Sequence, residues 1–229
     1  MIKKLLITGL VGLSVFTTSC KSDDDNTKTL SVEEQNIADD AAITNFLANY
    51  YFDDLGKITK FSDAVTSNDK TPLSKIAQQD AAGYWYVINP DAPAGSGTSP
   101  DGENNILIHY NLKYFVATEG GNGYTSLTTG SSSIEGLGVA QENPFFYKQP
   151  VDTTKEKSYY VVDNLVNGLK KFKPTNKGKN DPYDHLQGVI VVPSRLAYGR
   201  NSNALGVSNA TLLLNFELYK VCPEGETCQ

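Results

Sequence analysis

The sequence predicts an α+β fold in which an antiparallel sheet dominates and helix is scarce, and three stretches carry that expectation. In ILIHYNLKYFVA, residues Ile106, Ile108, Tyr110, Leu112 and Tyr114 fall on one face, and Leu107, His109, Asn111 and Lys113 on the other. Tyr110 is therefore expected to point inward and His109 outward. The same two-residue period returns in ATLLLNFELYK, with Leu212, Leu214, Phe216 and Leu218 opposed to Asn215 and Glu217. The third stretch, Val189 to Val192, is a β-branched run with no polar alternation, which suits a strand covered on both faces. Pro193 ends it, having no N–H to give to a ladder. At 229 residues and 39% hydrophobic side chains, the chain can bury one sizeable core, so one domain with an appendage is expected.

In chain order, residues 1–19 read as a signal peptide: Lys3 and Lys4, an apolar run from Leu5 to Phe16, then Thr17, Thr18 and Ser19 before Cys20. The run is shorter than the roughly 20 residues of a membrane-spanning helix. A cysteine directly after small residues resembles the lipobox of bacterial lipoproteins, although Thr17 stands where Leu is usual. That resemblance makes Cys20 the lipidation site and the N-terminal lipid the membrane contact. The acidic run KSDDDN lacks the ligand spacing of a calcium loop and reads as part of a solvated tether over 20–30. Its position after the cysteine resembles the signal that exports lipoproteins to the outer face of the bacterial outer membrane. Periplasmic or surface placement on that membrane is expected, with the surface favoured.

A helical extension is expected over 31–80. Ser31 and Glu34 form a capping box, and Ile43, Phe46, Leu47 and Tyr50 recur at helical spacing. From Ser62 to Gln79 the pattern is weak and includes Pro72, which suggests a linker or short helical turns. The main domain is placed over 81–221, with GYWYVINP as its first strand, a turn-rich loop, and then the Ile106 strand. One helical piece interrupts the strands from Asp163 to Phe172. Asp163 suits its N-cap, and Leu165, Leu169 and Phe172 share a side. Residues 222–229 form a tail in which Cys222 and Cys228 would close a small loop in an oxidising compartment or else remain free.

Several functions are disfavoured. Acids outnumber bases, 26 to 20, and the densest basic cluster, Lys170, Lys171 and Lys173, does not reverse that balance, so no nucleic-acid partner is expected. Two thiols without neighbouring histidines make no zinc site, and neither a metal nor a cofactor is expected. His109 and His185 offer little to a histidine-based hydrolase, Ser194 follows a proline and not a glycine-flanked elbow, and phosphate-loop and dinucleotide fingerprints are absent.

The stretch GLKKFKPTNKGKNDPYDHLQGVIVVPSRLAYGRNSNALGVSNATLLLNFELYKV resembles the carboxyl half of the FKBP family of peptidyl-prolyl isomerases. A helix, a strand, an Ala-Tyr-Gly loop and an Asn-Ala-Thr strand ending in Phe-Glu-Leu follow there in the same order. Upstream, GYWYVI and ILIHYNL resemble the family's first strand and its His-Tyr strand, so the likeness covers roughly Gly83 to Val221. It implies a curved antiparallel sheet wrapped around a short helix, and the helical segment ahead of it resembles the extension of bacterial lipoprotein members.

The resemblance also implies roles. Tyr110 matches the tyrosine of the proline pocket, and Tyr198 the one that hydrogen-bonds a ligand carbonyl. Leu165 and Val166 match an apolar pair whose second backbone amide meets the substrate carbonyl, and Leu169 matches the pocket floor. Leu214 matches an aromatic pocket residue. Tyr124 is the best match in the Phe-Asp-Ser-Ser stretch, where Thr125 replaces Asp and implies reduced activity. Val207 stands in a loop that has lost the family's Pro-Pro, and Tyr159 follows a long insertion over about 128–158; both are substrate-binding candidates. Aromatic residues of that insertion, Phe145, Phe146 and Tyr147, would cap the pocket, extend it or pack the insertion, the last being the ordinary behaviour of aromatics in long loops.

Isomerisation needs no nucleophile or metal. A peptide bond resists rotation by ~18–20 kcal/mol through resonance, and a water-poor pocket that favours the twisted amide over the planar one lowers that barrier. Proline-containing polypeptide segments acted on by a monomer are the expected partners. A binding or chaperone module of the same fold is the alternative, and an adhesin or glycan-binding protein using exposed tyrosines a remoter one.

Overall fold

The computed structural model of the protein describes residues 30–119, 123–136 and 138–228. The expected signal segment, Cys20 and the acidic run lie outside them. Helix α1 (Val32–Asn49) starts on the capping box: the Ser31 hydroxyl accepts from the Glu34 N–H at 3.1 Å, and the Glu34 carboxylate accepts from the Ser31 N–H at 2.8 Å. Two N–H groups that the first turn leaves open are thereby satisfied.

The chain leaves α1 at Tyr50 and enters a hairpin of β1 (Tyr50–Phe52) and β2 (Ile58–Lys60). The Asp53 carboxylate accepts from the Leu55 and Lys57 N–H groups, both at 2.9 Å, and Gly56 takes a φ of 74° to turn the chain. Residues 73–75 form a 3-10 turn, and β3 (Ala77–Gln79) then pairs with β4 (Trp85–Ile88). The segment 31–80 is therefore helical mainly in α1. The expected boundary at 80/81 falls inside a strand pair, because a tight turn from Asp80 to Gly83 holds β3 against the main sheet.

That sheet is completed by β5 (Asn105–Val116), β6 (Thr128–Ser132), β7 (Gln141–Glu142), β8 (Gly188–Val192) and β9 (Ala210–Cys222). Its order is β3-β4-β8-β9-β5-β6, with β7 also against β5, and the recorded pairings are antiparallel. Both β6 and β7 come from the segment expected as an insertion, so that segment extends the sheet beside β5.

The two-residue period sends alternate residues of the sheet into two cores. On one face Ile106, Ile108, Tyr110, Leu112, Ile190, Val192, Leu212, Leu214, Phe216 and Leu218 pack with α3 (Asp163–Leu169), which follows the single-turn helix α2 (Lys157–Tyr160). On the other, Val87, Phe115, Val189, Val191 and Leu213 are covered by Ile43, Phe46 and Leu47 of α1. At roughly 1.5–3 kcal/mol for each such side chain taken from water, the helix ahead of the main domain is an integral layer of it.

A buried polar contact fixes α1 in place. The Asp39 carboxylate accepts from the Ser194 N–H at 2.9 Å and hydroxyl at 2.5 Å, and from the Gln35 amide at 2.8 Å. His109, expected to face outward, is on the second face but buried: its Nδ1 is 2.8 Å from the Ser133 hydroxyl, and Tyr183 and Tyr219 stand edge-on to its ring. Loops from distant parts of the chain cover the strand there, which the alternation of one strand does not reveal.

Cys222 and Cys228 are joined by a disulfide, and the Cys228 N–H donates to the Glu142 carboxylate at 2.8 Å. No helix among the described residues is long and apolar enough to cross a membrane.

Candidate functional site

The first face of the sheet brings most of the expected residues together. Tyr110 rises from β5 and Leu214 from β9, while Leu165, Val166 and Leu169 descend from α3 into the same buried cluster. The close approach of α3 rests on two glycines. A Cβ on Gly168 would stand 2.6 Å from the Ile190 side chain, and one on Gly188 would stand 2.2 Å from the Val87 carbonyl and 2.8 Å from the Phe172 ring.

Val162 caps α3, its carbonyl accepting from the Leu165 and Val166 N–H groups at 2.9 and 3.1 Å. Asp163 is thus the first helical residue and not the N-cap, with its charge at the end of the helix that favours an anion. The shift corrects the role expected of Val166: its amide lies inside the helical ladder and has no N–H left for a substrate carbonyl.

Tyr198 follows β8 through a 3-10 turn (Ser194–Leu196), and Gly199, at a φ of 58°, turns the chain away behind it. Its ring is buried in the cluster, and its hydroxyl donates to the backbone carbonyl of Tyr160. The expected bond to a ligand carbonyl is therefore replaced by an internal one, since a phenol has one proton to give. Burial pushes the phenol's pKa well above its usual value. The Tyr110 hydroxyl is likewise engaged, 2.8 Å from the Ser131 hydroxyl and 2.9 Å from the Gln141 side-chain oxygen, and burial raises its pKa.

Val207 is half-buried against this cluster. Tyr159 lies at its margin, with Lys155 above its ring, Tyr160 edge-on to it and its carbonyl accepting from the Ala204 N–H at 2.9 Å. Tyr124 is on the other side of the sheet. Its ring packs 4.6 Å from Phe115 in the core under α1, so it takes no part in this face. Short sequence similarity selected it without fixing which side of the sheet it reaches.

Phe146, Val161 and Val162 belong to the cluster; Phe146 was expected to cap the pocket, extend it or pack the insertion, and Val161 and Val162 were given no role in a site. The Phe146 ring stands edge-on to Tyr110 at 5.0 Å, and its carbonyl accepts from the Val162 N–H at 3.0 Å. The apolar pair directly before a helix start was the available signal, because residues there often pack back against the first turn. Around the filled centre, Tyr114, Phe145, Tyr160, Leu205 and Val207 form a half-buried apolar rim.

No family model and no curated protein matches the chain. Among solved structures it is similar to FkpA from Escherichia coli, at 20% identity and a TM-score of 0.42, over 66% of this chain and 53% of that one. It is also similar to a peptidyl-prolyl cis-trans isomerase from Pseudomonas syringae, at 16% identity and 0.39, over 64% and 81% of the two chains. A third similarity is to the N-terminal domain of FKBP42 from Arabidopsis thaliana, at 18% and 0.40, over 63% and 91%. The chain spans about half the length of FkpA. At these levels the likeness reaches no further than the general α+β arrangement, and the chemistry has to be read from this chain's own residues.

That chemistry is apolar and aromatic, with Tyr84, Tyr110, Tyr147 and Tyr198 among its buried side chains. Among the described residues no group of His, Cys, Asp and Glu is placed to hold a metal ion. At its rim the face offers partly exposed aromatic and aliphatic surface.

Proposed function

We propose that the chain is an FKBP-type peptidyl-prolyl cis-trans isomerase held in the bacterial envelope through lipid at Cys20, with a sheet curved around α3. Its substrates are proline-containing segments of exported polypeptides, which dock at the rim formed by Tyr114, Phe145, Tyr160, Leu205 and Val207. The observation that carries this reading is the convergence of Tyr110, Tyr198, Leu165, Leu169 and Leu214, from three strand or helix elements and one loop, in one water-poor cluster. Such surroundings disfavour the charge-separated planar amide relative to the twisted one. Each tenfold gain in rate asks for ~1.36 kcal/mol of that preference.

One observation favours a second reading, a binding module without catalysis. The Tyr198 hydroxyl is committed to the Tyr160 carbonyl, so no donor from it meets a bound amide unless that bond exchanges. Isomer exchange in an Ala-Leu-Pro-Phe peptide separates the two. Acceleration by the purified protein, reduced by Leu205→Asp at the rim, supports the enzyme. Saturable binding of the peptide with an unchanged exchange rate leaves the binding module, and absence of both removes either reading.

A further inference from the structure

Tyr198 is held at two points, its tip and its root. At the tip, the hydroxyl is closed by the Tyr160 carbonyl and the ring packs in the cluster. The root is the 3-10 turn (Ser194–Leu196), and Ser194 is its hub. The Ser194 carbonyl accepts from the Ala197 N–H at 3.1 Å and from the Gly199 N–H at 2.8 Å, the amides on either side of Tyr198. Whatever orients Ser194 therefore orients the backbone from which the Tyr198 ring projects.

Ser194 is oriented from the opposite side of the sheet. Its N–H and its hydroxyl donate to the same oxygen of the Asp39 carboxylate, at 2.9 and 2.5 Å, across 155 residues of chain. The other Asp39 oxygen accepts from the Gln35 amide one turn back on α1, which fixes the plane of the carboxylate. Asp39 is 0% exposed and Ser194 2%, so bulk solvent does not reach the pair. The grip continues along the turn. The Arg195 guanidinium donates to the Asp40 carboxylate at 2.8 Å, and the Leu196 carbonyl accepts from the Asn164 side-chain amide at 3.0 Å. The turn is clasped by α1 at its first two residues and by α3 at its third.

A carboxylate is a costly way to attach a helix. Ala42, Ile43 and Phe46 already bury the same side of α1, and an apolar side chain at 39 would add to that contact without dehydrating a charge. Apolar contact has no direction, however, and leaves a turn free to shift. Two donors on one oxygen fix both its position and its orientation.

We infer that Asp39 is a positioning residue: through Ser194 it sets where the Tyr198 ring stands in the wall of the proline-docking face. The inference rests on that face being the site of isomerisation, and Asp39 itself touches no substrate. Docking is left to the rim, so a displaced wall acts on kcat and leaves KM alone.

The test compares three variants. Asp39→Leu fills the space and removes the acceptor, Asp39→Asn keeps an acceptor for the Ser194 N–H, and Ile43→Ala loosens the same core without touching Ser194. Each is followed by isomer exchange in the Ala-Leu-Pro-Phe peptide and by NMR of ring-labelled tyrosine, the Tyr198 signals being assigned by their loss in Tyr198→Phe. Asp39→Leu is expected to lower kcat about tenfold at unchanged KM, as misplacement at a distance from the chemistry does, and to move the Tyr198 signals. Asp39→Asn should recover most of both. Ile43→Ala should lower the melting temperature and leave kcat and the Tyr198 signals in place.

Ser194→Ala deletes only the hydroxyl bond and should lower kcat about threefold, a correspondingly smaller change in barrier; it decides the matter alone if Asp39→Leu does not fold. Wild-type Tyr198 signals in Asp39→Leu or, in its place, Ser194→Ala overturn the inference, as does an equal loss of kcat in Ile43→Ala. No acceleration by the wild-type protein removes the isomerase reading instead, and the ring signals still show whether Asp39 places Tyr198.

Discussion

The hydroxyl of Tyr198, in the loop after β8, is closed by the carbonyl of Tyr160, the last residue of the short helix Lys157–Tyr160, and the two meet at the aromatic cluster. Tyr198→Phe keeps the ring and leaves that carbonyl without its donor. A loss of about 1–2 kcal/mol is expected in urea unfolding, as for other buried carbonyls deprived of a partner. No change in stability would show that the Tyr160 carbonyl is readily served by solvent, and that the Tyr198 proton is free for a substrate.

Gly168 and Gly188 carry α3 and Phe172 at close range, but the two approaches differ in kind. An added methyl at Gly168 meets the Ile190 side chain, which can rotate, whereas one at Gly188 meets the Val87 backbone carbonyl, which cannot move without breaking the strand pairing. Gly168→Ala should cost about 1–3 kcal/mol from overpacking, partly offset by the better helix propensity of alanine. Gly188→Ala should cost more. Thermal melts that reverse this order would show α3 to be held by something other than close backbone approach.

Burial holds the pKa of His109 below the ordinary 6.5, with the Lys177 charge adding to the effect. Ser133, Tyr183 and Tyr219 surround the ring, and Glu217 is its partner across β5 and β9. The folded state takes up the His109 proton less readily than the unfolded chain, so stability from this group is complete above pH 6.5 and declines as pH falls below it. His109→Gln should flatten the stability profile between pH 6.5 and ~5, where histidines titrate. A profile that keeps its slope assigns the loss to other groups.

The Asp39 carboxylate titrates in the opposite sense. Burial raises its pKa above 3.8 against the bonds from Ser194 and Gln35, so the stability linked to its protonation is complete below 3.8 and is lost as pH rises through the raised value. Asp39→Asn removes that linkage and retains an acceptor for the Ser194 N–H. Its melting temperature should fall less than that of wild type over the acid range as pH increases, and parallel curves for the two proteins would contradict the assignment.

Reduction of the Cys222–Cys228 bond frees a short loop, for which chain entropy gives about 2 kcal/mol. The effect should be local, because Cys228 packs with Leu107, Ala140 and Tyr219 at one end of the sheet. Faster amide exchange over residues 223–228 in dithiothreitol, with protection of β8 unchanged, is the expected pattern. Unfolding of the whole sheet on reduction would contradict it.

The strands that hold Tyr110 and Leu214 were legible because a period of two assigns faces without any knowledge of partners. The same period fixed only the side of His109, not its burial, since Tyr183 and Ser133 reach it from other loops. Val166 was misread because helix starts are local and slip by a residue or more, and that slip decides whether an N–H is free. Tyr124 was misplaced, as a matched tetrapeptide says nothing about which side of a sheet its tyrosine enters. The covering of Val189 and Val191 by α1 was half legible: the amphipathic helix and the doubly buried strand were both visible, and the sequence carried no sign that each was the other's cover.

β9, the last strand, lies between β8 and β5 at the centre of the sheet, and β5 takes partners from both β9 and β6. During synthesis from the N-terminus, α1 and β5 wait for residues 210–222 before either core can close. Pairings of such long sequence separation fold slowly. The growing chain therefore has no early folded half, and its two cores close together once residues 210–222 have been added.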